Sequence, residues 1–293
     1  MTFIRDTGEI SDGSYIIDAK SWGIEKQNAV YFIKDEKTVL IDTGTRADAR
    51  KINKYITEKL NCEKIDYIII THSHLDHVGG LSYFIKKHNR VEILFSKKSS
   101  HLLTELKKLI SKNNYEVKIR QVEEGDLLTI GEDHQLKILD TPGHSPDHIS
   151  ILDLKTRYLY VGDSAGAYHI GKRFSRPTAY APDFEYKKYL NTMKRYLTME
   201  LNGIGIASYG FVKGPDYKAV LELGFEIFNK WFETIKDCYF KGLNLDAIYE
   251  VMIKKFGKSP GEIEENRPEH WIKRFLIASI SGFIEFIENN MQK

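Results

Sequence analysis

The chain has 293 residues, 42% hydrophobic and 29% charged, with 43 basic against 41 acidic side chains and a formal net charge of +2. That length suits one large domain, or a domain with an appended element, and is ample for a buried core. The balanced charge excludes any global case for nucleic acid or an acidic membrane surface as partner.

The opening "MTFIRDTGEISDGS" is polar and has no stretch fit for a signal peptide. Strands are expected in "SYIIDAK", "NAVYFIK" and "KTVLIDTG", the last two joined by a polar "KDEK" turn. Residues 46 to 60 have helical spacing, with Ile52, Tyr55, Ile56 and Leu60 on one face. "KIDYIII" reads as a buried strand and "GGLSYFIKKH" as a helix. "VEILFS" follows as a strand, then "SSHLLTELKKLISK" as a helix with Leu102, Leu106 and Leu109 at core spacing. From 117 to 161 the pattern is one of short strands: "VKIRQV", "DLLTI", "LKILD", "HISILDL" and "RYLYVGD". Residues 183 to 199 return to helix and "GIGIAS" to strand, and segments 216 to 242, 244 to 256 and 268 to 290 read as helical. The expected layout is therefore a body over residues 1–214 and a helical C-terminal region over 215–293 packed on it.

No segment reaches the roughly 18 apolar residues of a membrane span. Cys62 and Cys238 are the only cysteines and form no CxxC pattern, so both are read as reduced thiols of a cytoplasmic protein.

The chemistry concentrates in "IITHSHLDHVGG". Neutral imidazole and carboxylate are the usual ligands of zinc or iron. His72 and His74 are two apart in extended chain, so their side chains point the same way and suit one metal. Asp76 and His77 lie where the chain turns toward a helix, which can aim them at a neighbouring second metal. "TPGHSPDHI" places His144 in a Pro-Gly loop, and "GDSAG" places Asp163 just past a strand. A carboxylate there has two oxygens and can bridge two cations. His148 reads as a hydrogen-bonded structural residue, and His88, His101, His134 and His270 as solvated. Phe225, Phe228, Trp231 and Phe232 have helical core spacing. A lid over the metals is the sharper alternative for them.

"VLIDTG", "THSHLDHVGG", "TPGHSPDHI" and "GDSAG", in this order, resemble the metallo-β-lactamase superfamily. The resemblance implies an α/β fold, the αββα four-layer sandwich, with metals at one edge between the sheets. It implies that His72, His74 and His144 bind a first metal. Asp76 and His77 would bind a second, Asp163 would bridge, and Asp42 would brace the histidine loop. The family's last ligand is usually a histidine after a late strand, but here "IASYGFVKG" offers Tyr209. Tyr209 is expected to face the site without closing the second metal's shell, free to donate a hydrogen bond to the substrate carbonyl or its oxyanion, with a packing tyrosine pointing elsewhere as the alternative.

The expected activity is metal-dependent hydrolysis of an ester, thioester or lactone, like that of hydroxyacylglutathione hydrolases or lactonases. Asp76 would be proton acceptor. The cofactor would be one or two zinc ions, with iron or manganese as alternatives. The partner would be a small-molecule substrate, and a homodimer stays open. A mononuclear iron oxygenase or persulfide dioxygenase, and a metal-binding protein without catalysis, are the competing readings. A flavodiiron reductase would need an attached flavin domain, which the helical region is not.

Overall fold

Successive side chains of "AVYFIK" and "TVLI" are buried almost without a break, so each of these strands buries both of its faces. In "AVYFIK", Ala29, Tyr31 and Ile33 join one apolar cluster while Val30 and Phe32 join another. The structure is a computed structural model that describes residues 2–11, 13–113, 115–169, 174–257 and 269–291. Residues 171–173 of "GKRFSR" and 258–268 of "FGKSPGEIEENRP" lie outside these residues.

By internal packing the chain forms two units. The first takes Met1–Asp140, Asp147–Gly162 and Glu200–Asp216, and the second Thr141–Pro146, Asp163–Met199 and Tyr217–Lys293. In the first unit the described residues build two seven-stranded sheets. One sheet runs in the order β2 (Gly8–Ser11), β3 (Ser14–Asp18), β4 (Ala29–Lys34), β5 (Thr38–Ile41), β6 (Tyr67–Ile70), β7 (Glu92–Ser96) and β8 (Lys118–Val122). From β5 to β8 neighbouring strands are parallel, so Asp42 and His72 follow strands that end on the same edge. The other sheet runs β1 (Thr2–Ile4), β16 (Gly210–Lys213), β15 (Gly203–Ile206), β12 (Tyr158–Tyr160), β11 (Ile149–Asp153), β10 (His134–Asp140) and β9 (Leu127–Gly131).

The sheets face one another across a core of Ile16, Tyr31, Ile41, Ile69, Ile138, Ile151, Tyr160 and Phe211, among others. The opposite face of the first sheet buries α1 (Ala49–Glu58), α3 (Leu81–Lys87) and α4 (Ser100–Asn113). Those helices contribute the expected residues Ile52, Ile56, Leu102 and Leu106. The short α2 (Leu75–Val78) carries Asp76 and His77.

In the second unit, β13 (Ala167–His169) and β14 (Phe174–Arg176) form a hairpin, accompanied by α5 (Tyr186–Thr198), α6 (Tyr217–Phe240), α7 (Leu245–Phe256) and α8 (Glu269–Asn290). Asn244 caps α7 by accepting from the Ala247 N–H at 2.9 Å, satisfying an otherwise orphan donor. Phe228, Trp231 and Phe232 are buried, as core packing requires. The Phe228 ring stacks on Tyr189 at 4.8 Å and meets Phe283 at 5.2 Å. No helix among the described residues is long and apolar enough to cross a membrane.

Two histidines expected to be solvated are buried instead. His88 bonds the Asn53 side-chain oxygen at 2.8 Å. His134 lies between Asp35 (2.8 Å) and Asp153 (3.0 Å). The three residues tie the β4–β5 turn to β10 and β11, a long-range pairing that no local pattern marks. Burial opposes charge on His134, but hydrogen bonds and negative charge from Asp153 and Asp35 outweigh it and raise its pKa. A raised folded pKa gives stability that is full below the ordinary histidine value near about 6.5 and is lost as pH climbs through the folded value. His134→Asn is therefore expected to cost about 1.5–3 kcal/mol in acid and less in alkali. Urea denaturation of both proteins at several pH values checks this; a cost that grows with pH contradicts it.

Candidate metal centre

β6 ends at Ile70, and the next residues leave the sheet carrying His72, His74, Asp76 and His77. Thr71 anchors this exit. Its N–H donates to Asp42 Oδ1 and its hydroxyl to Asp42 Oδ2, both at 2.8 Å. Asp42 adopts φ +62°, in the left-handed region that Asp tolerates better than most residues. That conformation aims its carboxylate across to the neighbouring strand end. The same Oδ2 meets His77 Nδ1 at 2.7 Å, and His72 Nδ1 lies 3.1 Å from the Thr71 hydroxyl.

This network sets the histidine tautomers. The Thr71 hydroxyl spends its proton on Asp42, so it accepts from His72 Nδ1–H. The carboxylate accepts from His77 Nδ1–H. In a neutral imidazole the other nitrogen then presents the lone pair, which is Nε2 for both rings. The His72 and His77 rings lie 4.0 Å apart. His72 Nε2 is 3.0 Å from His74 Nδ1, and His77 Nε2 is 3.8 Å from Asp76 Oδ2. Ring nitrogens so close need a proton or a cation between them, and a divalent metal fits that donor set. Within this unit His72, His74, Asp76 and His77 are thus brought together.

Further side chains hold the loop from behind. Asp147 accepts from the Ser73 N–H at 3.1 Å, the Ser73 hydroxyl and the Ser99 hydroxyl at 2.6 Å. The His148 ring stacks on His72 at 5.0 Å. Gly162 has φ +52°, and a Cβ there would stand 2.6 Å from His148 Nε2. Only glycine leaves room for that ring.

In the second unit His144 and Asp163 form a pair of their own. His144 Nδ1–H donates to the Thr178 carbonyl at 2.7 Å, which again leaves the lone pair on Nε2. His144 Nε2 lies 3.6 Å from Asp163 Oδ2. The Thr178 hydroxyl donates to the Asp163 carbonyl at 2.5 Å, so one threonine positions both residues. Gly143, at φ +135°, allows the loop to approach Tyr189, where a Cβ would come within 2.2 Å. The edge of the Tyr180 ring packs against His144 at 5.6 Å.

Tyr209 requires a correction. Its hydroxyl donates to the Arg5 carbonyl at 2.8 Å, and its ring belongs to the core between the sheets. The strand after it, β16, pairs with β1, and that N-terminal partner was not foreseen. Tyr209→Phe is expected to lose about 1 kcal/mol of stability, one buried hydrogen bond. It should leave metal content and turnover unchanged. A tenfold fall in rate with intact stability would return the phenol to the chemistry.

Thr71, Asp147 and Thr178 were not singled out by the pattern of residues. Thr71 had a signal, since it directly precedes His72 in the motif. Thr178 is 34 residues from His144 and had none.

A profile of the metallo-beta-lactamase superfamily matches residues 23–201. The metallo-beta-lactamase fold-containing protein ST1585 of Sulfurisphaera tokodaii is 30% identical over 203 residues, covering 62% of this chain and 73% of its own. Its crystal structure superposes with a TM-score of 0.61 at 24% identity, covering 94% of this chain and 99% of that one. A putative diflavin flavoprotein A 2 of Nostoc sp. is 28% identical over 267 residues, which is 80% of this chain but only 44% of that longer protein. A hydroxyacylglutathione hydrolase of Idiomarina loihiensis is 29% identical over 168 residues, 57% of this chain and 52% of its own. The chain belongs to the metallo-beta-lactamase superfamily. Its fold is the metallo-β-lactamase fold with a helical C-terminal region. The superfamily binds divalent metals, and its members include hydrolases and oxidoreductases.

Proposed function

We propose that the protein is a hydrolase that cleaves an ester, thioester or lactone with one or two divalent metals, zinc first among them. His72, His74 and His144 would hold the first metal. Asp76 and His77 would hold the second, and Asp163 would lie between. One observation carries this reading. Three histidines from two motifs, His72, His77 and His144, each have Nδ1 on an oxygen acceptor, Thr71, Asp42 and Thr178 in turn, so each offers Nε2 as ligand. Oriented imidazoles of this kind are the mark of metal ligands.

A bound metal would lower the pKa of water toward about 7 and so supply a nucleophile at neutral pH. The remaining work falls to the chain. Asp76, half-buried beside His77, would orient the attacking water and accept its proton. Asp42 and Thr178 would keep the imidazoles in the ligating tautomer. No side-chain nucleophile is needed, and the hydroxyl of Tyr209 is engaged with Arg5.

The test is a substrate panel of aryl esters, acyl thioesters and lactones, run on protein loaded with zinc, manganese or iron. Turnover of at least one class is expected, lost with a chelator and regained with metal. Metal-loaded protein inert toward all three classes contradicts the proposal. A redox reading draws on the likeness to the Nostoc flavoprotein across 80% of the chain. Oxygen consumption by iron-loaded protein with a persulfide or a reductant, without hydrolysis, would favour it.

A further inference from the structure

The helix that carries Asp76 and His77 is a single turn, Leu75–Val78. So short a helix has no cooperative stability of its own, and its last carbonyls lack partners within it. The His74 carbonyl accepts from the His77 and Val78 N–H groups, and the Leu75 carbonyl from Gly79 N–H. An Asp76 carbonyl in a continuing helix would accept from Gly80 N–H. That N–H goes instead to Gly44 O at 3.0 Å and the Thr43 hydroxyl oxygen at 3.2 Å. The His77 carbonyl is taken by Thr43, from its N–H at 2.8 Å and its hydroxyl at 2.7 Å. The Asp76 carbonyl receives the Asn28 side-chain amide at 2.6 Å.

Asn28 is well placed for this task. It is 1% exposed and stands just before β4. Its own carbonyl accepts from Ala19 N–H at 2.9 Å, and the next residue, Ala29, donates to Ala207 O at 2.8 Å. Its backbone is thus pinned on both sides. Asn28 Oδ1 is buried and takes no hydrogen bond among the described residues. The carboxamide therefore does not serve a core network, and its side-chain hydrogen bond goes to the ligand loop. We propose that Asn28 is a positioning residue of the metal loop: it supplies the partner that α2 cannot, and so fixes where the Asp76 and His77 side chains stand. The inference rests on the metal reading above for its consequence, though not for its geometry.

Asn28→Asp keeps the shape and replaces the donor with an acceptor that repels the Asp76 carbonyl. Asn53→Ala is the control, since it removes another buried carboxamide, the one bonded to His88. In metal-free protein, amide hydrogen exchange over residues 74 to 80 should quicken by about tenfold in Asn28→Asp and stay unchanged in Asn53→Ala. In a zinc titration against a competing chelator, the second equivalent should bind roughly 10- to 100-fold more weakly, with the first within about threefold. Asn28→Ser, which retains a donor and adds no charge, covers the case in which a buried carboxylate prevents folding, and should show the same changes in smaller measure. Unchanged exchange over 74 to 80 in a folded Asn28 variant overturns the assignment. Wild-type protein that takes up no metal contradicts the metal reading, and the exchange comparison still decides the role of Asn28.

Discussion

His74→Ala is expected to lose most of its bound metal and at least about 10²-fold in metal affinity, with hydrolysis falling to background. The magnitude follows from structural zinc sites, whose binding energy of about 10–16 kcal/mol is shared among four ligands, or about 3 kcal/mol each. The choice of residue matters. His74 is half-exposed, whereas His72 is 1% exposed and hydrogen-bonded to Thr71. Removing His72 would open a cavity and take away the donor that the Thr71 hydroxyl accepts from, so lost activity there would mix unfolding with lost ligation. His74→Ala should keep the native circular dichroism spectrum and denaturation midpoint of the metal-free protein. Metal analysis by atomic emission on dialysed protein reads the result. Full metal retention in His74→Ala would remove His74 from the ligand set.

Asp42 should separate two effects in two variants. The carboxylate is 2% exposed and receives the Thr71 N–H, the Thr71 hydroxyl and His77 Nδ1. Asp42→Ala leaves all three donors buried without their acceptor, for an expected loss of about 3–5 kcal/mol. Asp42→Asn is nearly isosteric and keeps an oxygen for the Thr71 N–H. Its new NH₂ group, however, faces the Thr71 hydroxyl and His77 Nδ1. His77 can accept that NH₂ only by moving its proton to Nε2, which then cannot ligate. Asp42→Asn is thus expected to fold with a modest loss while the second metal weakens by roughly 10- to 100-fold. Urea denaturation gives the first quantity and zinc titration the second. Equal metal affinity in wild type and Asp42→Asn would show that the tautomer argument does not govern the site.

What was legible in the residues follows from how local each signal is. Strands such as "NAVYFIK" and helices such as 46 to 60 announce themselves by periodicity, because their burial repeats every two or 3.6 residues. The candidate ligands drew notice because four of them, His72, His74, Asp76 and His77, share one turn. The edge pairing of β1 with β16 was not, since Thr2–Ile4 and Gly210–Lys213 are too short to show a period and meet only through the fold. The same limit explains Tyr209. Its position after β15 suggested a ligand, but the residue that decides its direction is Arg5, at the other end of the chain. His88 and His134 were misplaced for a related reason. A histidine reads as solvated until its buried partner is known, and Asn53, Asp35 and Asp153 lie far away in sequence. Thr43 and Asn28 carry no chemical signature at all. Only the orphan carbonyls of a one-turn helix give them a role.

The central claim is that the histidine motifs hold a metal through Nε2 of His72 and His144 and Nδ1 of His74. Anomalous diffraction from crystals of the metal-loaded protein, collected above and below the zinc and iron absorption edges, tests it most directly. The account predicts a peak about 2.0–2.1 Å from those three nitrogens, with the edge naming the element. Crystals of metal-loaded protein with no peak at these residues, or with a peak bound by other residues alone, would contradict it.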